Sequence, residues 1–330
     1  MKSERFMNDL SEFNKAGELN FEKVCRSACV SAKSIELLGA FLSGNEYRYP
    51  IAEIYMKTLV SSIEKDILNK SFYDTKLRYI PGYHPLHMRG IDTFANLSTL
   101  QENDNIVNTY NHEIILDAQI KSSSVVTVVS CDSIYFERFS EDFFNSFLSI
   151  SSENDILNIH IVNPKQNHID NIKKLDASNI RVTASYIENP PIALYTTARY
   201  FMGYEILKEY KCIVNIQEFD VTFVGSPATM ILKYPSKEEV VVCLNTPSPS
   251  LPWQTYMASF CVVYPNNLGN NFLNHYCKIA HDIYKNYMQK NVIELWYYDQ
   301  IILFYLFRTE LFPRENNWSL RDKIFTMVKK

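Results

Sequence analysis

Glycine is scarce in this chain, with 8 in 330 residues. A Gly-rich loop that cradles phosphate on its backbone therefore has little material to be built from. A run of about 18 apolar residues, the length a spanning helix needs, is also missing, and the longest apolar runs are strand-sized. Any membrane association is expected to be peripheral. The first fifteen residues, MKSERFMNDLSEFNK, hold no apolar segment of the kind a secretory leader needs. No excess of positive charge exists either: the formal net charge is −4, and lysine and arginine are spread along the chain. That balance argues against a nucleic-acid partner. The seven cysteines are odd in number, and their one close pair, Cys25 and Cys29, has three residues between its members rather than two. Zinc knuckles and redox motifs are thereby disfavoured, and a reduced, cytoplasmic protein without disulfides is expected.

What is abundant is apolar and aromatic material: 46% hydrophobic residues, 22 Tyr and 20 Phe, enough for a large buried core. Apolar residues recur at helical spacing from Phe21 to about Leu42 and again from Ile51 to Ile67, so positions 1–75 read as a helical N-terminal segment. Positions 76–123 are punctuated by Pro81-Gly82, His84-Pro85 and polar clusters, and read as a connector with some structure of its own rather than a free linker. From position 124 to 330 the texture is that of one α/β domain. Val125–Val129 is a β-branched run suited to a strand buried on both faces. Ser140 is the expected N-cap of a helix turning Phe143, Phe144, Phe147 and Leu148 inward. Strands at Ile156–Val162, Ile180–Ile187 and Cys212–Ile216 alternate with helices at Ile169–Leu175 and Thr196–Tyr210. Such alternation predicts βαβ units, a mainly parallel sheet and helices on both faces. Further strands are expected at Thr222–Val224, Met230–Lys233, Val240–Leu244 and Phe260–Tyr264, and helices at about Leu268–Met288 and Tyr297–Leu311.

Ligands of such sheets gather at the carboxyl ends of the strands. There the chain places Glu218-Phe219-Asp220, directly after the strand that ends near Gln217. Extended residues i and i+2 share a side, so Glu218 and Asp220 can converge on one hard cation, Mn²⁺ or Mg²⁺, shared with a diphosphate. Ser130-Cys131-Asp132 and Tyr135 follow the first strand, where Asp132 can accept from a base or ribose or simply start a helix. Arg199 opens the helix before the acidic strand, and either a phosphate or the acidic pair can be its partner. Asp299, beside Gln300, can cap its helix, contact a sugar, or both. Trp253 lies in a proline-rich loop as an acceptor platform or a packed side chain.

In order, Cys131-Asp132-Ser-Ile-Tyr135, Thr196-Thr-Ala-Arg199-Tyr200, Glu218-Phe-Asp220 and Tyr298-Asp299-Gln300 resemble the GT-A glycosyltransferases. The similarity is greatest to the glycogenin and bacterial-galactosyltransferase branch and covers about positions 124–312. It implies a Rossmann-like GT-A domain, a nucleoside-diphosphate sugar donor (UDP-sugar favoured), Mn²⁺ or Mg²⁺, and a glycan or lipid-linked acceptor. Metal would fall to Glu218 and Asp220; donor binding to Ser130, Cys131, Asp132, Tyr135, Arg199 and Glu218; catalysis to Asp299, Gln300 and Asp220. Three departures stand out: Glu218 replaces the first Asp of D-x-D, Met257-Ala258-Ser259 stands where the branch has N-A-G, and the branch's C-terminal metal-ligating histidine has no counterpart. They leave open an alternative, a catalytically silent GT-A-like scaffold that binds a nucleotide or a partner. A nucleotidyltransferase is disfavoured by the lack of a Gly-rich basic loop. Oligomeric state is not legible.

Overall fold

The computed structural model describes residues 111–190, 192–234, 240–244, 256–289, 298–307 and 314–327. The two helical stripes read at the N-terminus lie outside these residues. The chain divides into two compact units. The described part of one is a single helix, Tyr298–Phe307, and every other described element belongs to the second unit.

That second unit opens with β1 (Glu113–Leu116), β2 (Val125–Asp132), α1 (Ser133–Ile150), β3 (Asp155–Val162), α2 (Gln166–Ile172) and β4 (Ile180–Ser185). It continues with α3 (Ile192–Tyr210), β5 (Ile213–Gln217), β6 (Val221–Phe223), α4 (Pro227–Leu232), β7 (Val240–Leu244), β8 (Tyr256–Val263) and α5 (Asn267–Gln289). The lone helix of the other unit, Tyr298–Phe307, is α6; β9 (Arg314–Asn316), α7 (Trp318–Ile324) and β10 (Phe325–Met327) close the sheet-bearing unit. Eight strands form one sheet in the order β1-β4-β3-β2-β5-β8-β7-β9, and β6 pairs with β10 apart from it. β2, β3, β4 and β5 run parallel; β1 and β8 are antiparallel to their neighbours. This is a Rossmann-like α/β fold with a mainly parallel centre, the layout that the GT-A resemblance implies.

Strand alternation sorts the core. Val125, Val129, Leu157, Ile159, Val182 and Ile213 join Phe136, Phe143 and Phe147 of α1 in one cluster. On the opposite face, Gly203 of α3 lies so close to Val214 and Ile216 that an added Cβ would stand 3.2 Å and 3.1 Å from their methyl carbons. Helices thus cover both faces, and β2, β3 and β4 are buried almost end to end.

Three local expectations are corrected. Ser140 is not the N-cap of α1; the helix starts seven residues earlier, where Asp132 Oδ1 accepts the Tyr135 N–H at 2.7 Å. Leu148 is exposed at 44%, because only the Phe136, Phe139, Phe143, Phe144, Phe147 stripe meets the sheet. Met230–Lys233 is not a strand: Ser226 caps α4 by accepting from Thr229, and Pro227 supplies the pre-set φ of a first helical residue. β1 lies inside the stretch read as a connector with some structure of its own, and pairs with β4 at the sheet's edge.

Gly269 marks a close approach at the start of α5. Its N–H donates to Asn266 Oδ1 at 2.7 Å, and a Cβ there would lie 2.1 Å from the Tyr264 carbonyl oxygen. Backbone cannot yield as a flexible side-chain tip can. Gly269→Ala is therefore expected to cost about 2–3 kcal/mol in a urea titration. A loss below about 0.5 kcal/mol would show that α5 shifts freely on β8.

Candidate functional site at the carboxyl ends of β2 and β5

β2 and β5 are adjacent and parallel, so the residues that leave them emerge side by side. After Gln217 the chain alternates: Glu218 and Asp220 are half-buried, whereas Phe219 between them is 3% exposed. Phe219 packs its ring 4.6 Å from that of Phe143 and stacks at 6.2 Å on Phe136. An anchored aromatic thus holds the two flanking acids out of the core. Their side chains bear on one group, the Tyr135 hydroxyl, whose pKa is raised by burial first, then by Asp220, Glu218 and Asp132; Arg138 opposes them. Asp132, the last residue of β2, and Glu218 and Asp220, just beyond β5, thus leave neighbouring parallel strands at the same edge of the sheet.

Asp132 has two duties here. Its cap on α1 fixes where Tyr135 stands, and its charge also raises the pKa of Tyr195, after burial. Ser130, one turn deeper, is a latch: its Oγ donates to the Tyr195 carbonyl and accepts the Arg199 N–H at 3.1 Å. The first turns of α3 are thereby pinned to β2. Cys131 points the other way, into the α1 core, and burial pushes its thiol well up.

Arg199 is 2% exposed. Its guanidinium donates to the carbonyls of Gln217 at 3.4 Å and Ala258 at 3.1 Å, tying β5 to β8 where both meet the site. The same group lies 4.0 Å from Glu218 Oε1. Its charge therefore faces the acidic pair from inside the protein. Nothing in the periodicity of α3 marked the Ser130 latch; it is a contact across 65 residues of chain.

Two hard carboxylates suit Mg²⁺ or Mn²⁺, which retain waters and share substrate phosphates. Among the described residues no group of three His, Cys, Asp or Glu is placed to hold a metal ion. On α5 His281 is exposed and His275 is half-buried, with His275 Nδ1 2.8 Å from the Asn271 carbonyl.

Asp299 and Gln300 stand in the first turn of α6, in the other unit. Asp299 is buried, and its Oδ1 accepts the Gln300 N–H at 2.9 Å. Trp253 lies outside the described residues. No helix among the described residues is long and apolar enough to cross a membrane.

No protein-family model matches the chain, and no curated protein matches its sequence. Among solved structures it is similar to the apo form of WbbM, a bifunctional glycosyltransferase, at 11% identity and a TM-score of 0.39. That similarity covers 61% of this chain and 39% of the other, so this chain spans well under half of the protein it matches.

Proposed function

We propose that the chain is a glycosyltransferase that binds a nucleoside-diphosphate sugar, UDP-sugar favoured, and passes the sugar to a glycan or lipid-linked acceptor. The observation that carries this reading is the placement of Asp132 at the end of β2 and of Glu218 and Asp220 just beyond its parallel neighbour β5. Carboxylates gathered at one strand edge repel one another unless a cation or hydrogen-bond donors come between them. A divalent cation shared with a diphosphate meets that need on Glu218 and Asp220. When bound, it would neutralise the charge that builds on the departing nucleotide.

The protein's own residues have separable roles in this reading. Asp132 accepts from ribose or base, and Tyr135 offers an exposed ring beside it. Arg199 holds the β5 and β8 carbonyls and balances Glu218 from below, so that the acidic pair keeps its place while empty.

A thermal-shift screen of UDP, GDP, CMP and their sugars, with and without Mn²⁺, tests it. A nucleotide at one hundred times its Kd adds about 2.7 kcal/mol to stability. The expected result is a shift that needs one nucleotide and the metal together and disappears in Glu218→Gln and Asp220→Asn. A screen flat for every nucleotide would overturn donor binding. A nucleotide shift without sugar transfer would point to the silent scaffold.

A further inference from the structure

Asn163, directly after β3, has φ 53°, in the left-handed region that asparagine tolerates better than other residues with a side chain. From there it reaches two other segments. Its N–H donates to the Ser185 carbonyl at 2.8 Å, and its side chain clasps the exit of β4 twice. In that clasp Nδ2 donates to the Ile187 carbonyl at 2.7 Å, and Oδ1 accepts the Ile187 N–H at 2.7 Å. Its own carbonyl accepts from the Ser133 hydroxyl. Ser133 is the first residue of α1 and follows Asp132 directly. One backbone turn therefore joins the ends of β3 and β4 to the point where Asp132 and Tyr135 leave the sheet. Asn163 makes this joint from its left-handed φ, with its carbonyl on Ser133 and its side chain on Ile187.

We infer that Asn163 and Ser133 are positioning residues for the nucleotide-binding edge. By fixing the entry of α1 they set where Asp132 and Tyr135 stand relative to Glu218 and Asp220. Neither residue touches the ligand in this account; both act through Asp132. The inference rests on the proposed nucleotide site for its binding consequence, but its structural core does not.

Two measurements separate these parts. The first is hydrogen exchange at the Tyr135 amide, which is protected by Asp132 Oδ1. Ser133→Ala and Asn163→Gly should each speed it about tenfold, the weight of roughly one hydrogen bond. Asn163→Gly keeps access to the positive φ and removes only the side-chain clasp. Ser133→Thr, which retains the hydroxyl, should restore protection. Ser146→Ala removes the acceptor of the Phe223 N–H, on the same helix at the end away from Asp132, and serves as control. It should leave Tyr135 exchange unchanged. The second is the Kd of UDP with Mn²⁺ by calorimetry, expected to weaken about tenfold in Ser133→Ala and Asn163→Gly, not in Ser133→Thr or Ser146→Ala. Unchanged Tyr135 exchange in Ser133→Ala overturns the inference whether or not nucleotide binds. So does an equal response from Ser146→Ala, which would mark general loosening. A wild-type protein that binds no nucleotide overturns the proposed function alone, and the exchange result still decides the brace.

Discussion

Asp155→Ala is expected to remove about 3–5 kcal/mol of stability, the loss typical when one partner of a buried charged network is deleted. Asp155, the first residue of β3, is 0% exposed and is surrounded by donors. Its Oδ2 accepts from Ser152 N at 2.7 Å, Ser152 Oγ at 2.8 Å and Ser226 Oγ at 2.5 Å; its Oδ1 accepts from Ala228 N at 2.7 Å. Ser226 is in turn the N-cap of α4, so one carboxylate ties the amino end of the sheet to a helix 73 residues further on. Removing it takes the acceptor from four donors at once, of which the Ala228 N–H bond is buried and the three serine bonds are partly buried. An unsatisfied buried donor costs about 1–3 kcal/mol, and helix α4 loses support with its cap. Asp155→Asn should fall between, because an amide brings two donors of its own into a pocket already full of donors. Urea unfolding of the three proteins checks this. A loss under about 1 kcal/mol in Asp155→Ala would mean that the donors find other partners cheaply.

None of that network was legible in the sequence, and the reason is physical. Asp155 follows Glu153-Asn154 at the entry to a strand, where an acid reads as solvated, and its partners on α4 are far along the chain. Local pattern reports which side a residue faces; it does not report what arrives there. Where a single period decided the matter, the reading was good. The β-branched run at Val125–Val129 is a buried strand, although it continues through Ser130 and Cys131 to Asp132. Hydrophobicity stopped the expectation at the first polar residue, whereas pairing with β3 carries the strand on to Asp132 opposite Val162. The alternation at Glu218-Phe219-Asp220 was likewise visible, because it needs only the two-residue period and a phenylalanine to bury. The α4 error is of another kind. Met230–Lys233 has the composition of a short strand, but Ser226-Pro227 ahead of it is a helix-start signal that outweighs three apolar residues.

At the site, the residue types at the strand ends were readable and their fastening was not. Arg199 was expected to seek a phosphate or an acid. In the fold its guanidinium also carries the carbonyl ends of β5 and β8, a duty set by β8 approaching from 59 residues downstream. The positive φ of Asn163 was similarly hidden in an Asn-Pro pair that reads only as a turn.

Acid should weaken the fold through His160, and replacing that residue should flatten the acid limb of the stability curve. His160 points from β3 to the α3 side of the sheet and is 0% exposed. Its ring nitrogens meet Thr183 Oγ1 at 2.9 Å and Ser185 Oγ at 3.1 Å, two hydroxyls that can serve a neutral ring as donor and acceptor. Burial first, then the charges of His112 and Arg181, push its pKa down from 6.5 to about 3. The folded protein therefore refuses a proton that the unfolded chain accepts. Between those two values the unfolded state holds more protons, so stability falls as pH drops from 6.5 toward 3, and the full contribution is present only above 6.5. At pH 4.5 the loss from this one ring is about 2.7 kcal/mol relative to pH 7.5. His160→Gln, whose amide can still meet one or both hydroxyls, does not titrate. Other groups change little between the two proteins, so their difference isolates the ring. Urea titrations of both at pH 7.5 and 4.5 should show the wild type losing about 2–3 kcal/mol more than the variant. Equal losses would mean that the ring takes up its proton in the folded state as it does in the unfolded chain.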